Sequence, residues 1–220
     1  MNIWLYSSGD GDENEAMDTE LMSSIHAPRP RLTFIPTERE EADEYYDEFI
    51  DRFAAFGYIN FDMQHLDQPV SDRRLRRLLD SDMIYFSGGN TYSLLHALRS
   101  SGFDRYVERY VRGGGFVAGH SAGAIIMTPV IDTAGYPDEE ADENEVGITD
   151  LTGMNLVPFE YFPHYQNRPS WIRRLCRESE KVNWPIFAVP DGSGICIEGP
   201  RLSFFGKVWG FSRGMRFRIR

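Results

Sequence analysis

Short apolar runs recur along this chain, most of them separated from the next by a segment with helical spacing. The runs are "NIWLYSS" (2–8), "RLTFIPT" (31–37), "YINFDMQHL" (58–66), "DMIYFSGGN" (82–90) and "GFVAGH" (115–120). Each reads as a buried strand. Residues 9–20 are rich in Asp and Glu and read as a solvated loop or the start of a helix. Thr37 and Glu40 form a T-x-x-E capping pattern, which predicts a helix to about Phe56 with Tyr45, Phe49, Phe53 and Phe56 on one inward stripe. "SDRRLRRLLD" (71–80) predicts a short helix with Leu75, Leu78 and Leu79 inward and its arginines in solvent. "TYSLLHALRSSG" and "FDRYVERYVRGG" are two helices, each closed by glycine. Strands that alternate with helices imply an α/β fold with a mostly parallel sheet covered on both faces.

The second half is less regular. "AGAIIM" (122–127) continues from the last run as a helix. Residues 132–150 have no apolar period and predict a long exposed loop. "MNLVPF" (154–159) is strand-like, and 168–182 is helical. "PIFAVP", "GICIEG", "RLSFFG" and "KVWGF" predict short strands that add an antiparallel edge. With no repeat and no linker, residues 1–220 read as a single domain.

Composition removes several classes of function. Hydrophobic residues are 41% and charged residues 26%, enough to bury a core without staples. A formal net charge of −11 repels phosphate backbones and argues against nucleic-acid binding. The two cysteines, Cys176 and Cys196, lack the spacing of a zinc site or a disulfide framework. The N-terminus lacks a basic signal-peptide region, and no 18-residue apolar run is present for a membrane span. The expectation is a cytoplasmic protein with no metal, cofactor or membrane partner, and a homodimer is left open.

The run at 115–120 leads directly into Gly119-His120-Ser121-Ala122-Gly123, a G-x-S-x-G match. On its own that pattern is weak, but here an apolar strand precedes it and a helix follows, the setting of a nucleophile elbow. The helix start would also point free N–H groups at an oxyanion near Ser121. A serine hydroxyl needs a base. Of His26, His65, His96, His120 and His164, the last is best placed, in a loop just after a strand. His120 adjoins Ser121 but its side chain should point away, so it would line the pocket instead. Asp191, in "FAVPDGSG", could orient the base, with Asp132, Asp138 and Glu160 as competing acids. The order Ser-His-Asp differs from that of α/β-hydrolases.

Four segments together, "FSGGNTYSLL" (86–95), "GHSAGAIIM" (119–127), "FPHY" (162–165) and "VPDGSGICIEG" (189–199), resemble the peptidase E (aspartyl dipeptidase) family of serine peptidases, which includes cyanophycinases. The resemblance implies a three-layer α/β/α sandwich like the class I glutamine amidotransferase domain. It implies Ser121 as nucleophile, His164 as base and Asp191 in the position of the family's glutamate. Backbone N–H groups of Gly89 (or Gly88) and Ala122 would form the oxyanion hole. Gly88, Asn90, His120 and Asp132 are the substrate-binding candidates. Asp132 matches the position of an arginine that would hold a substrate aspartate, so a short-peptide hydrolase without strict Asp-X preference is expected. A cyanophycinase-like enzyme and a non-catalytic binding module are the alternatives.

Overall fold

The computed structural model describes residues 1–9, 11–40, 42–57, 59–67, 71–137 and 139–219. The first half runs β1 (Asn2–Tyr6), α1 (Gly11–Ser24), β2 (Arg31–Ile35), α2 (Ala42–Ala54), β3 (Asn60–Met63), α3 (Asp72–Leu79), β4 (Met83–Phe86), α4 (Thr91–Ser101), α5 (Asp104–Arg112) and β5 (Phe116–His120). Then come α6 (Ala122–Ile125), β6 (Glu160–Phe162), α7 (Pro169–Glu178), β7 (Ile186–Ala188), β8 (Gly194–Glu198), β9 (Arg201–Phe205), β10 (Trp209–Ser212) and β11 (Met215–Arg218).

Side chains along β1 alternate between two cores. Ile3 and Leu5 enter one, Trp4 and Tyr6 the other, and all four are fully buried. Burial on both faces is why this run reads as continuously apolar. β4 divides in the same way, with Ile84 and Phe86 on one side and Met83 and Tyr85 on the other. β1 to β5 pair in parallel within a seven-stranded sheet of order β3-β2-β4-β5-β1-β8-β9, and β8 and β9 form its antiparallel edge. α1 and α2 cover one face through Met17, Leu21, Phe49 and Phe53. α3, α4 and α5 cover the other through Leu78, Leu94, Leu98 and Val107. The architecture is a three-layer α/β/α sandwich.

A second sheet, of order β11-β10-β7-β6, extends the core that holds Ile3 and Leu5. Tyr161 and Phe187 face that core, while Phe162, Ile186 and Phe211 pack on Trp171 and Leu175 of α7.

Several elements depart from expectation. Of the two readings of residues 9–20 the helix holds, as α1 occupies Gly11–Ser24. α2 starts at Ala42 and not behind a Thr37 cap: the Thr37 N–H donates instead to Ser87 Oγ at 2.8 Å. Phe49 and Phe53 are buried, but Tyr45 is 43% and Phe56 38% exposed. Each four-residue step overshoots a full turn by about 40°, so a long i, i+4 stripe winds out of the core. In α3 Leu78 is buried and Leu79 is not, and two of the arginines bond neighbouring segments, the half-exposed Arg77 the Asp62 carboxylate and Arg74 the His65 carbonyl.

α6 is one turn long. The Thr128 hydroxyl donates to the Ile125 carbonyl at 2.7 Å, and Pro129 cannot continue the helix. The segment 154–159 is not a strand: Met154 and Leu156 donate their N–H groups to Ile126 and Met127 carbonyls at 2.7 and 2.9 Å, and the strand forms next, as β6. Asp132–Gly135 forms a 3-10 turn, and Thr133, Ala134 and Tyr136 are buried, so among the described residues only 139–150 behave as an exposed loop. β11 has no counterpart among the expected strands. Tyr58 and Asp138 lie outside the described residues.

Candidate active site

β4, β5 and β1 are neighbours in the sheet, so the loops at their carboxyl ends meet. Those loops carry Ser87–Gly89, Ser121 and Ser7. Ser121 sits at φ 51°, ψ −110°, the sharp backbone turn of an elbow between β5 and α6. Its N–H donates to the Tyr6 carbonyl at 3.0 Å, and the Gly123 N–H to the Ser87 carbonyl at 3.2 Å. These bonds fix the turn to both neighbouring strands. A Cβ on Gly119 would fall on the Gly123 carbonyl, and a Cβ on Gly123 would fall on the Phe86 carbonyl. Both glycines are therefore required by close backbone approach.

His164 and Asp191 come from the second sheet, after β6 and β7. Ser121 Oγ lies 2.7 Å from His164 Nε2, and His164 Nδ1 lies 2.9 Å from Asp191 Oδ1. With the proton on Nδ1 donated to Asp191, Nε2 is free to accept from the serine hydroxyl. The bond from His164 holds the Asp191 carboxyl below its usual range. Ser7, fully buried at the end of β1, joins the two sheets here. Its Oγ accepts from the His164 N–H at 2.7 Å and lies 2.9 Å from the Val189 carbonyl and 3.2 Å from Asp191 Oδ1.

The Ser-Gly-Gly-Asn loop stands beside the serine. Gly88 approaches Ser121 and His120. Gly89 has φ +119°, and a Cβ there would meet Thr37 Cβ at 2.9 Å. Ser87 Oγ, where the resemblance expects glycine, ties this loop to Thr37. Ala122 opens α6, so helix geometry leaves its N–H without an intrahelical acceptor.

Two spaces flank Ser121. The larger, about 630 Å³, is lined by Gly88, Gly89 and His120 and runs to Tyr45 and Arg52 on α2. Burial, and next the Arg52 charge, push His120 down to about 4, so the ring is neutral near pH 7. The smaller, about 60 Å³, lies between Thr91, Thr133, Tyr136 and Trp171. Glu140 and Asp142 of the acidic loop line it, and Asp142 accepts from the Thr91 N–H at 2.8 Å.

Two candidates fall elsewhere. Asn90 caps α4, accepting from the Ser93 N–H at 3.0 Å and donating to the Glu143 carbonyl at 2.8 Å. Asp132 is among the described lining residues of neither space. Partial burial, and next the charge of Glu178, raise its carboxyl. Glu160, a competing acid, bonds Trp184 and Tyr136 instead of His164. Among the described residues no cluster of three His, Cys, Asp or Glu side chains could hold a metal ion, and no helix is long and apolar enough to cross a membrane.

The sequence model of peptidase family S51 matches residues 3–204. The chain belongs to peptidase family S51. As an S51 member it is a peptidase, a hydrolase of peptide bonds. It is 36% identical to the uncharacterized peptidase PM1590 of Pasteurella multocida over 63% of this chain and 66% of that one, just under two thirds. It is 27% identical to the peptidase E of Streptomyces coelicolor over 94% of this chain and 85% of that one. The fold matches the crystal structure of a candidate peptidase E protein from Listeria monocytogenes with TM-score 0.73 and 25% identity, covering 92% and 96% of the two chains. A peptidase structure from an acI-B1 Actinobacterium shares the fold at TM-score 0.71 and 15% identity, covering 99% of this chain and 96% of that one. For this S51 peptidase, sequence reading missed Ser7, Thr37, Thr91 and Thr133. Short hydroxyl side chains carry no spacing signal, and their roles arise from contacts across the fold.

Proposed function

We propose that this peptidase hydrolyses short peptides by acyl transfer through Ser121, His164 and Asp191. One observation carries the reading: the continuous relay from Ser121 Oγ through His164 to Asp191, at 2.7 and 2.9 Å, on a strand-turn-helix elbow. His164 takes the serine proton as Oγ bonds to the carbonyl carbon. The N–H groups of Gly89 and Ala122 hold the oxyanion, with Gly88 as the alternative donor on the first loop. The peptide C–N bond then breaks, and His164 gives its proton to the leaving amine. Water, activated by the same histidine, releases the acyl group.

Strict aspartyl specificity does not follow. The small space beside Ser121 is lined by Glu140 and Asp142, which disfavour a third carboxylate. An exopeptidase that accepts other residues beside a free amino group fits better. The two free thiols, Cys176 and Cys196, suit a reducing compartment, and the cytoplasm is the one proposed.

The test is Ser121→Ala and His164→Ala, each with the fold checked by circular dichroism. Each variant is expected to lose about 10³-fold or more in kcat. A fluorophosphonate probe should label the unmodified protein and not Ser121→Ala. Undiminished turnover in the serine variant would end the proposal.

A further inference from the structure

Ser121 stands between two unequal spaces. Tyr136, Phe162 and Trp171 line the smaller. Its 60 Å³ holds roughly two waters, or an amino group, a Cα and one or two more atoms. Thr91 and Thr133 line this region, and among the described residues neither Oγ1 has a hydrogen-bond partner, although the residues are only 0% and 2% exposed. A buried hydroxyl left unpaired is costly, so these two mark a place where a ligand donor completes the site. Glu140 and Asp142 add negative charge to the same wall. The Glu140 charge is only loosely matched by Arg168, at 3.5 Å.

The larger space differs in kind. Its floor is Phe34, Phe49 and Tyr85, with Glu48 and Asp51 on its wall. Among the described lining residues its arginine, Arg52, is engaged: Nε and Nη2 bond both Asp18 oxygens, at 2.7 and 2.6 Å. Glu48 and Asp51 repel the terminal carboxylate of a dipeptide product half, but not the neutral backbone of a longer chain.

We propose, resting on the serine-peptidase reading above, that the small pocket holds the N-terminal residue of a peptide and the large cleft holds the rest of the chain. The ammonium donates to the Thr91 and Thr133 hydroxyls beside the two carboxylates. The enzyme is then an aminopeptidase for small neutral first residues, glycine, alanine or serine, on peptides of three residues or more. An aspartyl side chain is disfavoured by both volume and charge.

The first arm of the test uses the unmodified protein and tripeptides X-Leu-Leu, with X as Gly, Ala, Ser, Asp or Phe, plus N-acetyl-Ala-Leu-Leu and Ala-Leu. Expected are free alanine from Ala-Leu-Leu and a kcat/KM about 10-fold or more above those of the Asp and Phe peptides. Ala-Leu should be poorer than Ala-Leu-Leu, and the acetylated peptide should be inert. The second arm is Thr91→Val with Thr133→Val, expected to raise KM about 10-fold for Ala-Leu-Leu with a smaller change in kcat. Thr91→Ser should recover most of the Thr91 share. Equal or better cleavage of the Asp, Phe or acetylated peptides, or Ala-Leu cleaved as well as Ala-Leu-Leu, overturns the inference while Ser121 still labels with fluorophosphonate. Loss of labelling together with full activity in Ser121→Ala would instead mean that the serine reading has failed, and this inference with it. Should the valine variants not fold, the peptide panel decides alone.

Discussion

Glu160 is a carboxyl group set inside a core. The residue is 1% exposed, and it accepts from the Trp184 indole N–H at 2.7 Å and from the Tyr136 hydroxyl at 3.4 Å. Burial outweighs those two donors and, with Asp132 nearby, pushes it up to about 7 from its ordinary 4.5. In that window the unfolded chain has already released the proton while the folded chain keeps it. The Glu160 contribution to stability is therefore full below about pH 4.5, declines as pH rises toward 7 and levels off above. Glu160→Gln keeps an acceptor for Trp184 and removes the titration. Its melting temperature, followed from pH 4.5 to 7.5, should lack that decline relative to the unmodified protein; parallel curves would show that Glu160 does not titrate there. Such a residue is invisible as a sequence letter. A glutamate close to His164 reads as a competing catalytic acid, and only the pairing of β6 with β7 turns it toward Trp184.

At the scale of the element, the elbow joins β5 to a single helical turn. Its two glycines are set by backbone contact, not by flexibility. Gly123→Ala drives a methyl group into the Phe86 carbonyl, so β4 or α6 must move. The expected cost is about 1–3 kcal/mol or more, read as a lower urea midpoint with an unchanged m-value. An unchanged midpoint would mean that the elbow is looser than its geometry implies. This element was legible in the sequence because its signal is local: an apolar strand, small residues, and a helix start within a dozen positions. The same holds for β1, β2 and β4. β6 was not legible, since three residues in the second sheet give no period, and the apolar letters just before them, 154–159, served a pinned loop. The acidic loop was readable as polar and exposed. That Asp142 docks it on the start of α4, and so beside Ser121, depends on residues 51 positions apart.

The whole molecule divides the relay between its two sheets. Ser121 belongs to the large sheet, and His164 and Asp191 to the small one. The seam is held by Ser7 and by the Tyr161 hydroxyl, which donates to the Leu5 carbonyl at 3.2 Å. The large parallel sheet and its order of elements could be read from alternating apolar runs; the seam could not, because it is made of long-range bonds from ordinary residues. Ser121 itself has a consequence for the molecule as a whole. Its φ of 51° is a conformation that L side chains rarely adopt, with an expected cost on the order of 1–3 kcal/mol. Ser121→Ala abolishes the hydroxyl and keeps that cost, whereas Ser121→Gly abolishes both. The glycine variant should melt about 2–4 °C above the alanine variant for each kcal/mol relieved, measured by calorimetry; equal melting temperatures would mean that no cost is stored there. Under the proposed mechanism, the side chain that turnover requires is one that thermal stability alone would select against, and a search for more heat-resistant versions of this protein would tend to recover inactive ones at that codon.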